Sequence, residues 1–333
     1  MKAYNRSLTP DGLLPNGSPF ISFKDQLASI QEASSNLSPL TPIRASIPPL
    51  ASMSTKKPTH LMAVLNLTPD SFSDGGLHSS SKPEIYVNKM KQQAQQNRAP
   101  TLVDIGGQST RPYAKPVSPE EELSRIIPSI QAIRAESSLD KIAISVDTYR
   151  ASVARAAIAA GADIINDVSA GQLDKEMLRT IAELGCTCIL MHMRGTPETM
   201  NSLTKYPDGV IQGVGSELLE RVRAAEQAGI RRWRIILDPG IGFAKNQAQN
   251  LEILQKLNEL RNFEGLQGFP WVVGASRKKF IGKITGVEEP RERVWGTAAC
   301  VVSAVQGGAD IVRVHDVEEM GQAVKMADAI WRA

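Results

Sequence analysis

The sequence predicts an α/β fold, a (β/α)8 TIM barrel preceded by an irregular N-terminal extension, and three observations carry that prediction. Eight short β-branched or apolar runs follow one another between residues 61 and 314. Longer stretches of helical period separate them. Glycines punctuate the junctions, twice as the same triplet, Gly161-Ala162-Asp163 and Gly308-Ala309-Asp310, with Gly185 and Gly229 between; in both triplets the glycine is expected to end a helix in the left-handed conformation before the aspartate enters the next strand. A chain of 333 residues lies within the range such barrels occupy as one unit. A doubly wound open sheet is the competing arrangement of the same units.

The extension covers residues 1–58 and reads as a Ser/Pro-rich linker or tail, because Pro39, Pro42, Pro48 and Pro49 exclude a regular element there. An amphipathic patch at 20–30 carries no chemistry of its own. Residues 59–333 form the expected barrel domain. The net charge of +3 resides in the extension, where six Lys/Arg face three Asp/Glu. The balanced remainder shows no basic footprint, so nucleic acid is not an expected partner. With 42% hydrophobic and 22% charged residues the composition is globular, which excludes a disordered chain. No apolar run approaches the roughly 20 residues of a membrane span, so no membrane partner is expected. Cys186, Cys188 and Cys300 form neither a C-x-x-C pair nor a disulfide framework. They read as core filler in a reducing compartment. The cytoplasm is the expected location; a mitochondrial one is the second reading, against which Asp11, Asp25 and Glu32 count in a transit peptide.

In order, the strand runs are 61–65, 101–105, 142–146, 163–165, 187–191, 234–237, 271–274 and 311–314. The last helix should lay Val317, Met320, Val324, Ala327 and Ile330 or Trp331 on the sheet as one stripe. Polar residues stand at the carboxyl end of every run: Asn66, Asp104, Asp147, Asn166 with Asp167, His192, Asp238, Ser276-Arg277-Lys278 and Arg313-Val314-His315. Barrel enzymes assemble their sites at these carboxyl ends. One such residue is ordinarily a strand cap; a polar residue at every end calls for a polar ligand. Asp147, Asn166 and Asp238 suit the donor-rich edge of a guanidine-like heterocycle. Arg277, Lys278, Arg313 and His315, from the last two strands, suit phosphate. A ring of salt bridges closing the barrel mouth is the competing account. Two loops rich in glycine and hydroxyl residues, 66–76 and 106–112, can cover a ligand. Phe72 at the tip of the first either closes over a bound ring or packs on a neighbouring loop or subunit.

The segments 66–76 (NLTPDSFSDGG), 104–112 (DIGGQSTRP), 145–148 (SVDT), 164–168 (IINDV), 191–195 (MHMRG), 238–243 (DPGIGF), 276–278 (SRK) and 313–317 (RVHDV) resemble, in order and spacing, the motif series of dihydropteroate synthases. The resemblance covers about residues 60–332. It implies an alkyl-transferring enzyme that joins (7,8-dihydropterin-6-yl)methyl diphosphate to 4-aminobenzoate, yielding dihydropteroate and pyrophosphate in folate biosynthesis. Carried over position by position, it implies that Asp147, Asn166, Asp238 and Lys278 hold the pterin. Asn66 would help to place Mg2+ and the pyrophosphate, which Arg313 and His315 would bind. Phe72 and Asp74 of the first loop, Thr110, Arg111 and Pro112 of the second, and Ser276 would shape the aminobenzoate pocket, which is also the implied sulfonamide site. Asp147, Asp238, Lys278, Arg313 and His315 would carry the catalysis. Gln108, Tyr113 and Ala99-Pro100 depart from the common bacterial pattern. The N-terminal stretch is similar to linkers of fungal multifunctional folate proteins, which implies fusion to, or association with, a hydroxymethyldihydropterin pyrophosphokinase. A homodimer is expected through the last two helices, where Trp295, Val301, Val302, Val305 and Trp331 supply apolar surface. Two other functions compete: a corrinoid-linked methyltetrahydrofolate methyltransferase, which needs no pyrophosphate subsite, and a catalytically silent pterin-binding subunit.

Overall fold

The structure, a computed structural model, describes residues 57–68, 83–109 and 116–332. The expected linker, Lys57 and Pro58 apart, lies outside the described residues, as do Phe72, Asp74, Thr110, Arg111, Pro112 and Tyr113.

Strand and helix alternate along the described chain. In order they are β1 (His60–Asn66), α1 (Pro83–Gln95), β2 (Leu102–Gly106), α2 (Pro119–Arg134), β3 (Ala143–Asp147), α3 (Ala151–Ala159), β4 (Ile164–Asp167), α4 (Met177–Leu184) and β5 (Thr187–Met191). There follow α5 (Val210–Gln227), β6 (Ile235–Asp238), α6 (Gln247–Gln255), α7 (Leu257–Arg261), β7 (Val272–Val273), α8 (Lys279–Thr285), α9 (Val294–Gln306), β8 (Ile311–Val314) and α10 (Val317–Trp331). All strand pairs are parallel, in the order β6-β5-β4-β3-β2-β1-β8-β7. A parallel bridge between Leu237 and Trp271 joins the two ends of that order. The sheet is therefore a barrel, and the open doubly wound arrangement is excluded. β7 spans only Val272–Val273 of the expected 271–274 run, and Trp271 of that run makes the bridge to Leu237.

Period-two alternation explains how the barrel builds a site. Met62, Leu102, Ala143, Ile164, Ile189, Ile236, Val272 and Ile311, one from each strand, make a buried apolar cluster. Two residues further along four of these strands stand Asp104, Asn166, Asp238 and Arg313. The polar layer thus rests on an apolar floor. Outside the sheet the helices bury a second, larger apolar cluster.

The repeated Gly-Ala-Asp junctions do one job twice. Gly161 and Gly308 have φ of +112° and +95°, the left-handed side that glycine takes without strain. Each aspartate then accepts a backbone N–H near the start of the preceding strand: Asp163 from Ile144 at 2.8 Å and Asp310 from Trp271 at 2.8 Å. Arg134 is ion-paired with Asp163, and Lys57 and Arg261 with Asp310.

Two expectations need correction. In α10 the buried stripe is Met320, Val324 and Ala327, whereas Ile330 and Trp331 are exposed. Beyond them the Arg332 side chain donates to the carbonyls of Val305 and Ala309. In α9 Val301 and Val305 are buried against the barrel and cannot serve a partner. Cys186 and Cys188 are buried and Cys300 half-buried, and burial pushes the Cys186 and Cys300 thiols up to about 11, as inert core residues require. Among the described residues no helix is long and apolar enough to cross a membrane.

Candidate active site

The strand-end residues converge, with a connectivity that the sequence did not disclose. Arg313 of β8 lies across the barrel mouth, its Nε donating to Asp104 of β2 at 2.6 Å and its Nη2 to Asp147 of β3 at 3.1 Å. Asn166 of β4 donates to the same Asp104 oxygen at 3.0 Å. Asp104, Asp147 and Asn166 are all buried. The cation expected for phosphate therefore sits among the carboxylates, and that part of the salt-bridge account holds. Yet the pairing is incomplete: Oδ1 of Asp104 and Oδ1 of Asp147 are buried without a hydrogen-bond partner. Two buried acceptors without donors are costly unless a ligand supplies N–H groups.

Charge follows from this packing. Burial first, then the neighbouring Asp104 carboxylate, push Asp147 up to about 7, with Arg313 pulling the other way. Burial also raises Asp238 at the end of β6, against the Gly240 N–H at 2.7 Å and the cations Lys278, Arg313 and Lys245. Lys278, the residue just before α8, places its Nζ 4.3 Å from the centre of the Phe243 ring. The mouth thus presents carboxylates, an amide beside them, and Lys278 stacked on Phe243 at one flank, a set of groups suited to a flat, donor-rich ring.

Ser276 and His315 are joined directly. The Ser276 hydroxyl accepts the His315 N–H at 3.2 Å and lies 3.0 Å from its Nδ1. Arg277, counted among the phosphate cations, instead turns its guanidinium onto Asp316, at 3.1 Å and 2.5 Å. The pair ties the loops after β7 and β8 together. Two other strand-end residues also have local duties. Asp167 caps its own loop through Ser169 and Gly171. His192 is buried between Lys245 and Glu217.

Asn66 ends β1 beside Gly106. A Cβ on Gly106 would lie 3.4 Å from Asn66 Oδ1 and 3.7 Å from Asp147 Cβ, which places the Asn66 amide oxygen and Asp147 at the same part of the mouth. Among the described residues no cluster of three or more His, Cys, Asp or Glu could hold a metal ion by itself. A hard cation that keeps most of its waters and arrives on substrate phosphates needs only one such protein oxygen, and these residues fit Mg2+ in that manner. Sequence reasoning missed Asp104 as a hub, and missed Lys245, Glu217 and Arg194 altogether. Asp104 stood among the strand ends, where its acidity was the available signal; the others lie in loops or on a helix face.

The family model "Pterin binding enzyme" matches residues 62–315. A dihydropteroate synthase of Synechocystis is 51% identical over 83% of this chain and 91% of its own length. The folic acid synthesis protein fol1 of Pneumocystis carinii is 47% identical over 84% of this chain, which spans 37% of that longer protein. Among solved structures, a Xanthomonas albilineans dihydropteroate synthase with 4-aminobenzoic acid is 40% identical and covers 83% of this chain and 94% of its own, with a TM-score of 0.72. Fold, site and likeness together define a pterin-binding barrel enzyme. The chain belongs to the pterin-binding family, and within it to the dihydropteroate synthases, alkyl-transferring enzymes of folate biosynthesis.

Proposed function

We propose that this chain joins a dihydropterin methyl diphosphate to 4-aminobenzoate at the barrel mouth, using the residues assembled there. The supporting observation is the pair of buried, unsatisfied carboxylate oxygens on Asp104 and Asp147, beside Asn166 and Asp238. Pterin N–H donors satisfy them and favour the ionised carboxylates. Lys278 and the Phe243 ring hold the flank of the pterin.

In the proposed reaction the bond from the pterin methylene to the diphosphate oxygen breaks first, and its electron pair leaves with the pyrophosphate. The cation left on the dihydropterin is stabilised by Asp147 and Asp238. In this reading Arg313, from its place between Asp104 and Asp147, and His315, oriented by Ser276, offset the departing charge. Asn66 would hold Mg2+, which when bound would supply further neutralisation of the leaving group's charge. The aromatic amine then attacks the methylene carbon and loses its proton to solvent. Phe72, Asp74, Thr110, Arg111, Pro112 and Ser276 shape the aminobenzoate pocket in this reading, which the ligand of the Xanthomonas albilineans relative supports.

Residues 59–333 are the proposed catalytic barrel and 1–58 a linker, acting in the cytoplasm as a homodimer. A hydroxymethyldihydropterin pyrophosphokinase is the proposed neighbour, since it makes the pterin substrate. Incubating the chain with dihydropterin pyrophosphate, Mg2+ and labelled 4-aminobenzoate should yield labelled pteroate with stoichiometric pyrophosphate. Absence of both products at saturating substrate refutes the proposal.

A further inference from the structure

Directly behind Asp238 lies a buried cation that the reaction above does not use. Lys245, in the loop from β6 to α6, is 8% exposed. Its Nζ donates to the carbonyls of Gly240 at 3.0 Å and Phe243 at 2.9 Å, and lies 2.9 Å from His192 Nδ1. An ammonium has three protons, and here it meets three acceptors. The other ring nitrogen, His192 Nε2, is 3.0 Å from a Glu217 oxygen. The imidazole accordingly carries its proton at Nε2 and accepts from Lys245 at Nδ1. Glu217 on α5 is gripped in turn by Arg194.

The two carbonyls that Lys245 holds bracket the turn that builds the pterin subsite. Within it the Gly240 N–H donates to Asp238, and the Phe243 ring lies against Lys278. The backbone is bent throughout: φ is +67° at Gly240, +82° at Gly242 and +50° at the non-glycine Ala244. A Cβ on Gly240 would meet the His192 carbonyl at 2.0 Å. Such a segment keeps its shape only where its surroundings over-determine it. Lys245 does so from below, and Tyr206 assists by donating to the Ala244 carbonyl at 3.1 Å.

We infer that Lys245 is a positioning residue for pterin binding, whose ammonium pins the 238–243 turn through the Gly240 and Phe243 carbonyls. The inference rests on the pterin reading above. Around Lys245, Asp238 and Glu217 favour the ammonium while Arg194 and Lys278 oppose it. Burial outweighs them all and lowers Lys245 to about 7. Burial likewise, with Lys245 adding to it, lowers His192 to about 4, so the imidazole stays neutral across the working range.

The test is kcat/KM for dihydropterin pyrophosphate against pH, with the full chain, its Lys245→Met and Glu217→Gln variants, and melting curves for each. Wild type should lose pterin kcat/KM on an alkaline limb near pH 7. Lys245→Met should abolish the limb and raise the pterin KM about tenfold, leaving the aminobenzoate KM unchanged. Glu217→Gln removes one of two carboxylates that favour the ammonium, so the limb should move about half a unit toward lower pH. If Lys245→Met fails to fold, the Glu217→Gln displacement decides. A folded Lys245→Met with wild-type pterin KM and limb, or a limb unmoved in Glu217→Gln, overturns the inference. Wild type that binds no pterin at any pH overturns the underlying reading instead.

Discussion

A carboxylic acid buried beside a second carboxylate resists ionisation, and Asp147 stands in that position next to Asp104, with Arg313 as the partial remedy. Its folded value, about 7, lies above its ordinary value of 3.8. Between those values the native state holds a proton that the unfolded chain has released, so stability from this group falls as pH rises through 7. The melting temperature of the ligand-free protein should therefore fall more between pH 5.5 and 8 in wild type than in Asp147→Asn, compared by calorimetry; parallel falls would remove Asp147 as the cause. Pterin donors act oppositely by favouring the carboxylate, so binding near pH 7 should release a proton. Asp238→Ala removes a buried acceptor from the same edge, and pterin affinity should drop by about 10²-fold or more in a direct titration; near-normal affinity would refute the assignment. Asp147, Asn166 and Asp238 were legible because strand period and position at a strand end mark them. Asp167, equally acidic and equally placed, caps its own loop. Strand period separates the two cases only once the register is known, since one residue's shift along a strand reverses the face. Lys245 was illegible because what makes it matter is three carbonyl and imidazole acceptors, none of which a sequence pattern records.

At the scale of elements, the strand runs and the Gly-Ala-Asp junctions were readable from β-branched content and glycine placement, and the aspartates proved to tie neighbouring strands. The tethering of loop two was not readable. Arg150, between β3 and α3, donates to Gln108 Oε1 at 2.5 Å on one flank of that loop and to the Val117 carbonyl at 2.7 Å on the other. It also pairs with buried Glu122, while Gln108 donates to the Tyr149 hydroxyl at 2.8 Å. Gln108, a departure from the bacterial pattern, is thus a fitted part: its oxygen takes Arg150 and its nitrogen takes Tyr149. Arg150→Met should separate the flanks and strand the Glu122 charge, lowering stability by about 3 kcal/mol. If loop two shapes the aminobenzoate pocket, the aminobenzoate KM should also rise about tenfold while the pterin KM holds. Steady-state kinetics with each substrate varied in turn would show this, and an equal rise in both constants would assign Arg150 to the barrel rather than to the loop.

Over the whole molecule, the beginning of the described chain is stitched to its end. Lys57 pairs with Asp310, and Thr59 donates to Asp328 of α10 through its N–H at 2.8 Å and its hydroxyl at 2.6 Å. These contacts set α10 beside β1. They also fix which apolar surface remains for a partner. α9 and α10 follow parallel strands and pack together, and Arg332 joins their C-terminal ends. Trp295 at the start of α9 and Trp331 at the end of α10 therefore occupy opposite ends of the helix pair, not one patch. Of the two, Trp295 is 85% exposed and Trp331 41%. A tryptophan so fully in water has forfeited most of the burial that ordinarily accompanies its size. Beside it, Gly296 abuts Ile281 of α8, the helix that carries the half-exposed Ile284. Central aromatic anchors dominate association energies. If the proposed homodimer forms at this corner, Trp295→Glu should weaken it about 100-fold, giving monomer in sedimentation velocity at micromolar concentration. Met326→Glu, on the far part of α10, should leave the dimer intact. The reverse pattern would move the interface to the C-terminal end of the pair, and a wild-type monomer would remove it.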